Sequence, residues 1–203
     1  LTNGLPKGAW PTKIMRGVYS ANGYTTALVD TKTGAPIAAT GLDVKYAQTP
    51  AFSPDGTKVT FLNGDLLDNR VLSTLDFDDA TNGFSGPCIL VQNPNEARAW
   101  PTFLPDNSAV VYHAGDSLDS YEFSAPGDTQ SKPQYAELRM VEVATKTVKK
   151  LQALNGRDDQ GTLKLPYGET VEGRMNYEPN VLPVAVGGYY WVLFTSRRAY
   201  GNT

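Results

Sequence analysis

The feature that most constrains this chain is a hairpin-forming stretch that occurs twice, PAFSPDGTKVTF at 50–61 and PTFLPDNSAVVY at 101–112. In each copy a Pro-Asp-Gly or Pro-Asp-Asn corner separates two runs rich in apolar and β-branched residues. Proline sets the backbone angle of the first corner, and Gly56 or Asn107 accepts the left-handed conformation that closes the turn. A chain that repeats such a unit folds by stacking it, because one hairpin cannot bury its own apolar face.

The repetition extends further. Each returning strand is followed by Asn63-Gly64-Asp65 or Ala114-Gly115-Asp116. A third copy reads EPNVLPVAVGGYYWVLFTS at 178–196, with Pro179 in the place of Pro50 and Gly187-Gly188 at the corner. A weaker fourth start, AWPT at 9–12, is identical to AWPT at 99–102. The starts at Pro11, Pro50, Pro101 and Pro179 are unequally spaced, so the loops between units vary in length. Between the hairpins lie alternating strand-turn-strand segments at 26–37, 73–85 and 138–151, whose period of two fits half-buried strands. Chained together, the pieces give four-stranded antiparallel units. One unit is expected to place its strands near 89–92, 100–104, 109–113 and 138–143. Such units at this spacing are the pattern of propeller blades. Nineteen glycines, fourteen prolines and only 19% charged residues agree with many short strands and turns.

The 50–61 stretch resembles the repeat of the TolB-type, WD40-like bacterial β-propellers (the PD40 repeat), in which a Pro-x-Phe-Ser-Pro-Asp-Gly hairpin links the second and third strands of each blade. The copy at 50–61 matches that motif nearly completely. The copy at 101–112 has Leu104 for Ser and Asn107 for Gly, and those at Pro11 and Pro179 depart further. The resemblance implies an all-β, partial β-propeller of four-stranded antiparallel blades, about three to three and a half in this chain. The expected division is a weak blade portion at 1–34, blades at 35–83 and 84–147, and a truncated blade at 148–203. An open propeller leaves a strand edge unpaired, so the remaining blades are expected from a longer chain or from another chain. The family resemblance implies a non-catalytic binding or scaffold module, periplasmic or extracellular. The alternative it leaves is the propeller portion of a secreted or periplasmic hydrolase whose catalytic residues lie outside this chain.

Charge narrows the partners. The net charge is −3 with a pI near 5.2, and no Lys/Arg run exceeds two residues. Nucleic acid is therefore not an expected partner, since phosphate binding needs a concentrated basic face. The longest apolar stretch, 181–194, is broken by Pro183 and Gly187-Gly188 and is too short for a membrane-spanning helix. The chain begins at Leu1 without a signal peptide, which reads as a processed or partial chain.

Residues with chemical potential are few. Cys88 is the single cysteine, expected as a free buried thiol. The acidic cluster Asp76, Asp78, Asp79 with Asn82 has the oxygen-rich composition of a calcium loop, but lacks the terminal bidentate Glu of an EF-hand and falls at a strand connection. His113 is the only histidine; no Gly-x-Ser-x-Gly elbow accompanies it, and a surface or strand-end position is expected. The aromatic residues Trp10, Trp100 and Tyr189-Tyr190-Trp191 are expected to pack in the core or between blades. No catalytic, cofactor-binding or metal-ligating residue is assigned, and no cofactor is expected. Two long polar loops, 117–135 and 155–175, are expected to gather on one face and shape a binding surface.

Overall fold

A computed structural model describes residues 13–20, 23–44, 46–66, 71–115, 135–164 and 172–198. Thirteen strands are defined there. β1 (Lys13–Ser20), β2 (Gly23–Asp30) and β3 (Pro36–Ile37) form a three-stranded sheet. β4 (Ala47–Phe52), β5 (Lys58–Asn63), β6 (Val71–Asp78) and β7 (Gly83–Gln92) form the first four-stranded sheet in sequence order. β8 (Ala97–Phe103), β9 (Ala109–Gly115), β10 (Ala136–Glu142) and β11 (Val148–Lys150) form the second, and β12 (Asn176–Val181) pairs with β13 (Val192–Ser196). Every pairing between these strands is antiparallel.

The sheets pack face to face in chain order. β4 touches β8 and β8 touches β12, so these first strands line the inner edge. One apolar cluster joins Leu62, Leu72 and Leu90 to Phe103, Val110 and Tyr112 across the two four-stranded sheets. Another joins Met15 and Leu28 of the three-stranded sheet to Ala47, Val59 and Phe61. A third joins Leu104, Ala109 and Val111 to Val181 and Val192 of the terminal hairpin. The chain is a partial β-propeller. β1 touches β4 as β5 touches β8 and β9 touches β12, which places β1–β3 as the second to fourth strands of a blade. Among the described residues no helix is long and apolar enough to cross a membrane.

Two details correct the sequence reading at strand level. The Pro-Asp-Gly hairpin joins the first and second strands of its sheet, not the second and third. In addition, 83–92 is the outermost strand of the sheet begun at Ala47, so the four-stranded sheets draw their strands from 47–92 and 97–150 rather than from 35–83 and 84–147. Within that strand lies Gly86-Pro87. In the fold it is a bulge, where the register slips between Thr74↔Cys88 and Asp76↔Ser85 and Gly86 takes a φ of 58°. Proline is tolerated at such a place on an outer strand.

The hairpin chemistry holds where it was expected. Asp55 accepts hydrogen bonds from Ser53 Oγ (2.7 Å), Thr57 N (3.0 Å) and Thr57 Oγ1 (2.8 Å). Asp106 does the same with Ser108 N (3.0 Å) and Ser108 Oγ (2.7 Å). Asp106 is also bonded by the following sheet, through Tyr190 OH at 2.7 Å. At the third hairpin Gly187 and Gly188 have φ of 64° and 78°, the pair of positive values that a two-residue turn of the primed type requires.

A shared bulge marks the three inner strands. Thr49, Trp100 and Glu178, each preceding a proline, have φ of 42°, 53° and 52°. The register of β4, β8 and β12 breaks at the same places. Proline cannot donate to a ladder, so the inner strand releases its partner there and resumes two residues on.

Candidate binding site on the loop-bearing rim

Strand direction sorts the connections. The turns at 53–57, 104–108 and 182–191 lie at one rim, and the connections from Gly115 to Ala136 and from Lys150 to Asn176 leave from the other. The two long loops therefore depart from a common rim, where the parallel bridge Ala136↔Met175 brings their ends together. Positions 116–134 and 165–171 lie outside the described residues.

Beneath this rim sits a partly buried charge cluster. Glu96, just before β8, accepts from Arg139 Nη2 (2.7 Å) and Nη1 (3.0 Å), Arg98 Nη2 (3.4 Å), Tyr135 OH (3.1 Å) and Asn93 Nδ2 (3.0 Å). The two Arg139 bonds make a fork that matches the carboxylate plane. Arg98 is fully buried and also donates to the carbonyl of Glu96 at 3.1 Å. Glu137 extends the network between Arg139 (3.2 Å) and Lys150 (3.0 Å). Burial works against the charge on Glu96, yet hydrogen bonding and charge from Arg139 outweigh it and hold its carboxyl below the ordinary range. Burial and the neighbouring Glu96 push the Tyr135 hydroxyl up to about 12. Arg98, by contrast, is lowered by burial.

A shallow depression opens beside the cluster, lined by Tyr135, Glu137, Asn155, Arg157, Arg174 and Asn176. Its floor is a polar seam between the second four-stranded sheet and the terminal hairpin. Asn155 Oδ1 accepts from Leu138 N and its Nδ2 donates to Leu138 O, both at 2.9 Å, so the carboxamide substitutes for a strand partner of β10. Asn176 Nδ2 donates to Asn155 Oδ1 at 3.4 Å. Asn176 Oδ1 accepts from Ser196 Oγ (2.9 Å) and Arg198 Nη2 (2.6 Å), and Arg198 also donates to the carbonyl of Leu154. Above it, Asp158 ties a small turn through Gln160 N and Thr162 N, and Arg157 Nη1 donates to Gly161 O. The arrangement is a rigid polar surface with guanidinium, carboxamide and phenol groups, suited to recognition by hydrogen bonds and charge.

The residues singled out in the sequence do not converge here. His113 is 1% exposed, not on the surface: its Nδ1 accepts from Glu178 N at 3.1 Å and its ring meets Tyr177 edge-on. Asp76, Asp78 and Asp79 have separate partners, Lys58, the Ala80–Thr81 turn and Lys13 respectively, with Asn82 left-handed at φ 52°. They make a strand connection. Cys88 is a free thiol, but only half-buried, on outermost strand β7. Trp100 is 40% exposed, and Tyr189 and Trp191 are more so, against the expectation of packing; Trp10 lies outside the described residues. The rim residues were missed because their meeting depends on register across 43 residues, as for Glu96 and Arg139. One signal was present: Arg98 puts a charge in the inner strand β8 where the preceding repeat has Ala47.

No family model matches the sequence, and no curated protein matches it. Among solved structures, TolB from Acinetobacter baumannii is similar over 97% of this chain and 40% of its own, at 15% identity and a TM-score of 0.46. An oligogalacturonate lyase in complex with manganese is similar over 64% of this chain and 30% of its own, at 17% identity and a TM-score of 0.39. A puromycin-hydrolysing peptidase of Mycobacterium tuberculosis is similar over 73% of this chain and 25% of its own, at 10% identity and a TM-score of 0.43. This chain spans less than half the length of each of the three.

Proposed function

We propose that this chain is a non-catalytic binding or scaffold module, the portion of a larger propeller that presents its polar rim to a protein partner in the periplasm or outside the cell. The observation that carries the reading is the common departure of both long loops from the rim that holds the Glu96–Arg139 cluster and the Arg157/Arg174 depression. A rigid scaffold beneath variable loops is the usual way such folds place recognition. His113 supports the non-catalytic side of the reading, because its Nδ1 is committed to the backbone of β12. The remaining blades come from the same chain or from another.

The test is affinity capture from a periplasmic extract with the wild-type chain and an Arg157→Glu/Arg174→Glu variant, each first shown to fold by circular dichroism. Specific proteins retained by wild type and lost at least tenfold by the variant support the rim as the binding surface. Identical captured sets from the two proteins would sink that reading. Turnover of ester or peptide substrates by a longer form of the protein would favour the hydrolase alternative instead.

A further inference from the structure

The repeat places one titratable group in a seam between sheets. Aligning 50–61 with 101–112 puts His113 where the preceding repeat has Leu62, and the two are 1% and 0% exposed. Leu62 belongs to the apolar cluster between the two four-stranded sheets. His113 holds the corresponding place between the second of those sheets and the β12–β13 hairpin, where its ring lies 5.6 Å from that of Tyr177. Its Nδ1 accepts from Glu178 N at 3.1 Å. Glu178 is where β12 breaks register with β13, so its N–H is one that the ladder has released. A leucine at this position has no lone pair to receive it.

Alternation along the strands fixes what else His113 faces. Its cross-strand neighbours, Ala99 on β8 and Leu138 on β10, are uncharged. Arg98 and Glu137 pair with Ala114, and Arg139 with Tyr112, so these charges lie on the opposite face of the sheet. From β12 the titratable residues beside it are Tyr177 and Glu178 themselves, and Tyr177 pairs onward with Thr195 of β13. Arg198, which follows β13, is directed to Asn176 Oδ1 and the carbonyl of Leu154.

We propose that His113 is a pH-sensitive latch, which holds the β12–β13 hairpin to the second four-stranded sheet while neutral and releases it when protonated. The bond needs the lone pair of Nδ1. A proton there sets one N–H against another and leaves an imidazolium in a site closed to water, so acid removes an attraction and adds a desolvation cost. When the hairpin opens, His113 meets solvent and takes a proton at the ordinary histidine value of about 6.5. The latch is therefore complete above that pH and weakens as pH falls below it. By the same linkage the opening equilibrium of the hairpin rises by up to about thirtyfold between pH 7.5 and pH 5. Neither the loop-bearing rim nor its partner enters this inference.

Amide hydrogen exchange of the whole chain at pH 7.5, 6.5 and 5.0, corrected for the intrinsic pH dependence of exchange, reads the latch. Protection of β12 and β13 is expected to fall at least tenfold across that range, while β4 to β7 change less than twofold. His113 is the only histidine, and Asp55, Glu96 and Asp106 are held ionised below the ordinary carboxylate range, so this interval singles out His113. His113→Asn keeps a side-chain acceptor that does not titrate, and its hairpin protection is expected to be the same at pH 7.5 and 5.0. His113→Leu, which restores the residue of the preceding repeat, is expected to be equally flat, so either variant serves as the control. On wild type alone, imidazole nitrogen resonances show whether Nδ1 gains its proton as protection is lost. Four results each overturn the proposal: unchanged hairpin protection between pH 7.5 and 5.0, a loss shared equally by all sheets, a loss retained in either variant, or an Nδ1 proton gained while the Glu178 amide stays protected.

Discussion

At the scale of single residues, the decisive group is Glu96. It gathers five donor contacts from four residues at the loop-bearing rim, and the fork of Arg139 also reaches Glu137. Removing one partner of such a partly buried pair leaves a charge without its hydrogen-bond partner, which costs about 1–3 kcal/mol. Glu96→Gln is therefore expected to lower stability by about that amount in urea titration at neutral pH. Because the folded carboxyl titrates below its ordinary range, the deficit of the variant shrinks as pH falls below about 4.5. Asp55 gives a second, sharper window. Partial burial opposes its charge, but hydrogen bonds from Ser53, Thr57 and Asn107 hold it at about 2. Its contribution is complete above about pH 4 and is lost as pH falls to about 2. Asp55→Asn should flatten the thermal midpoint of unfolding across that interval, where wild type falls.

At the scale of elements, the inner strands carry the clearest local strain. Glu178 sits at φ 52°, a region that costs a non-glycine residue on the order of 1 kcal/mol. Its backbone N–H, bonded to His113, survives substitution by glycine. Glu178→Gly is expected to raise stability by about 0.5–1 kcal/mol in a denaturant midpoint, whereas Glu178→Val lowers it. Asn155 works in the opposite sense. Its carboxamide bonds both backbone groups of Leu138, whose carbonyl also accepts from Leu151 N at 3.0 Å, so Asn155→Ala leaves the buried Leu138 N–H open and costs about 1–3 kcal/mol by the same measurement. The turns, alternating strands and hairpins were legible in sequence because each is decided within ten or so residues. The ends of the sheets were not, because Gly86-Pro87 breaks the local pattern while Cys88 and Ser85 stay in one ladder with Thr74 and Asp76.

At the scale of the whole molecule, stability follows neighbouring sheets. Among the described residues, Leu/Val/Phe clusters join each sheet to its neighbours in the chain, the arrangement of a quasi-one-dimensional repeat. Asn176 and Arg198 hold the terminal hairpin to the sheet before it. Asn176→Ala should therefore raise hydrogen exchange in β12 and β13 well before β8 to β10 respond, and uniform acceleration would argue for one cooperative body. The candidate rim was not legible at this scale either. Its residues come from the start of β8, from β10, from the segment after β11 and from β12, and only the stacking order brings them together.

The turn aspartates give the chain a direction. Asp106 is bonded by Tyr190, 84 residues further along, and the Asn107 side chain of the next hairpin helps hold Asp55 ionised. During synthesis from the N-terminus, each corner is complete in its own sheet but waits for the next sheet to supply its last donor. The corner at Asp106 is thus finished by a residue of the sheet that follows it in the chain.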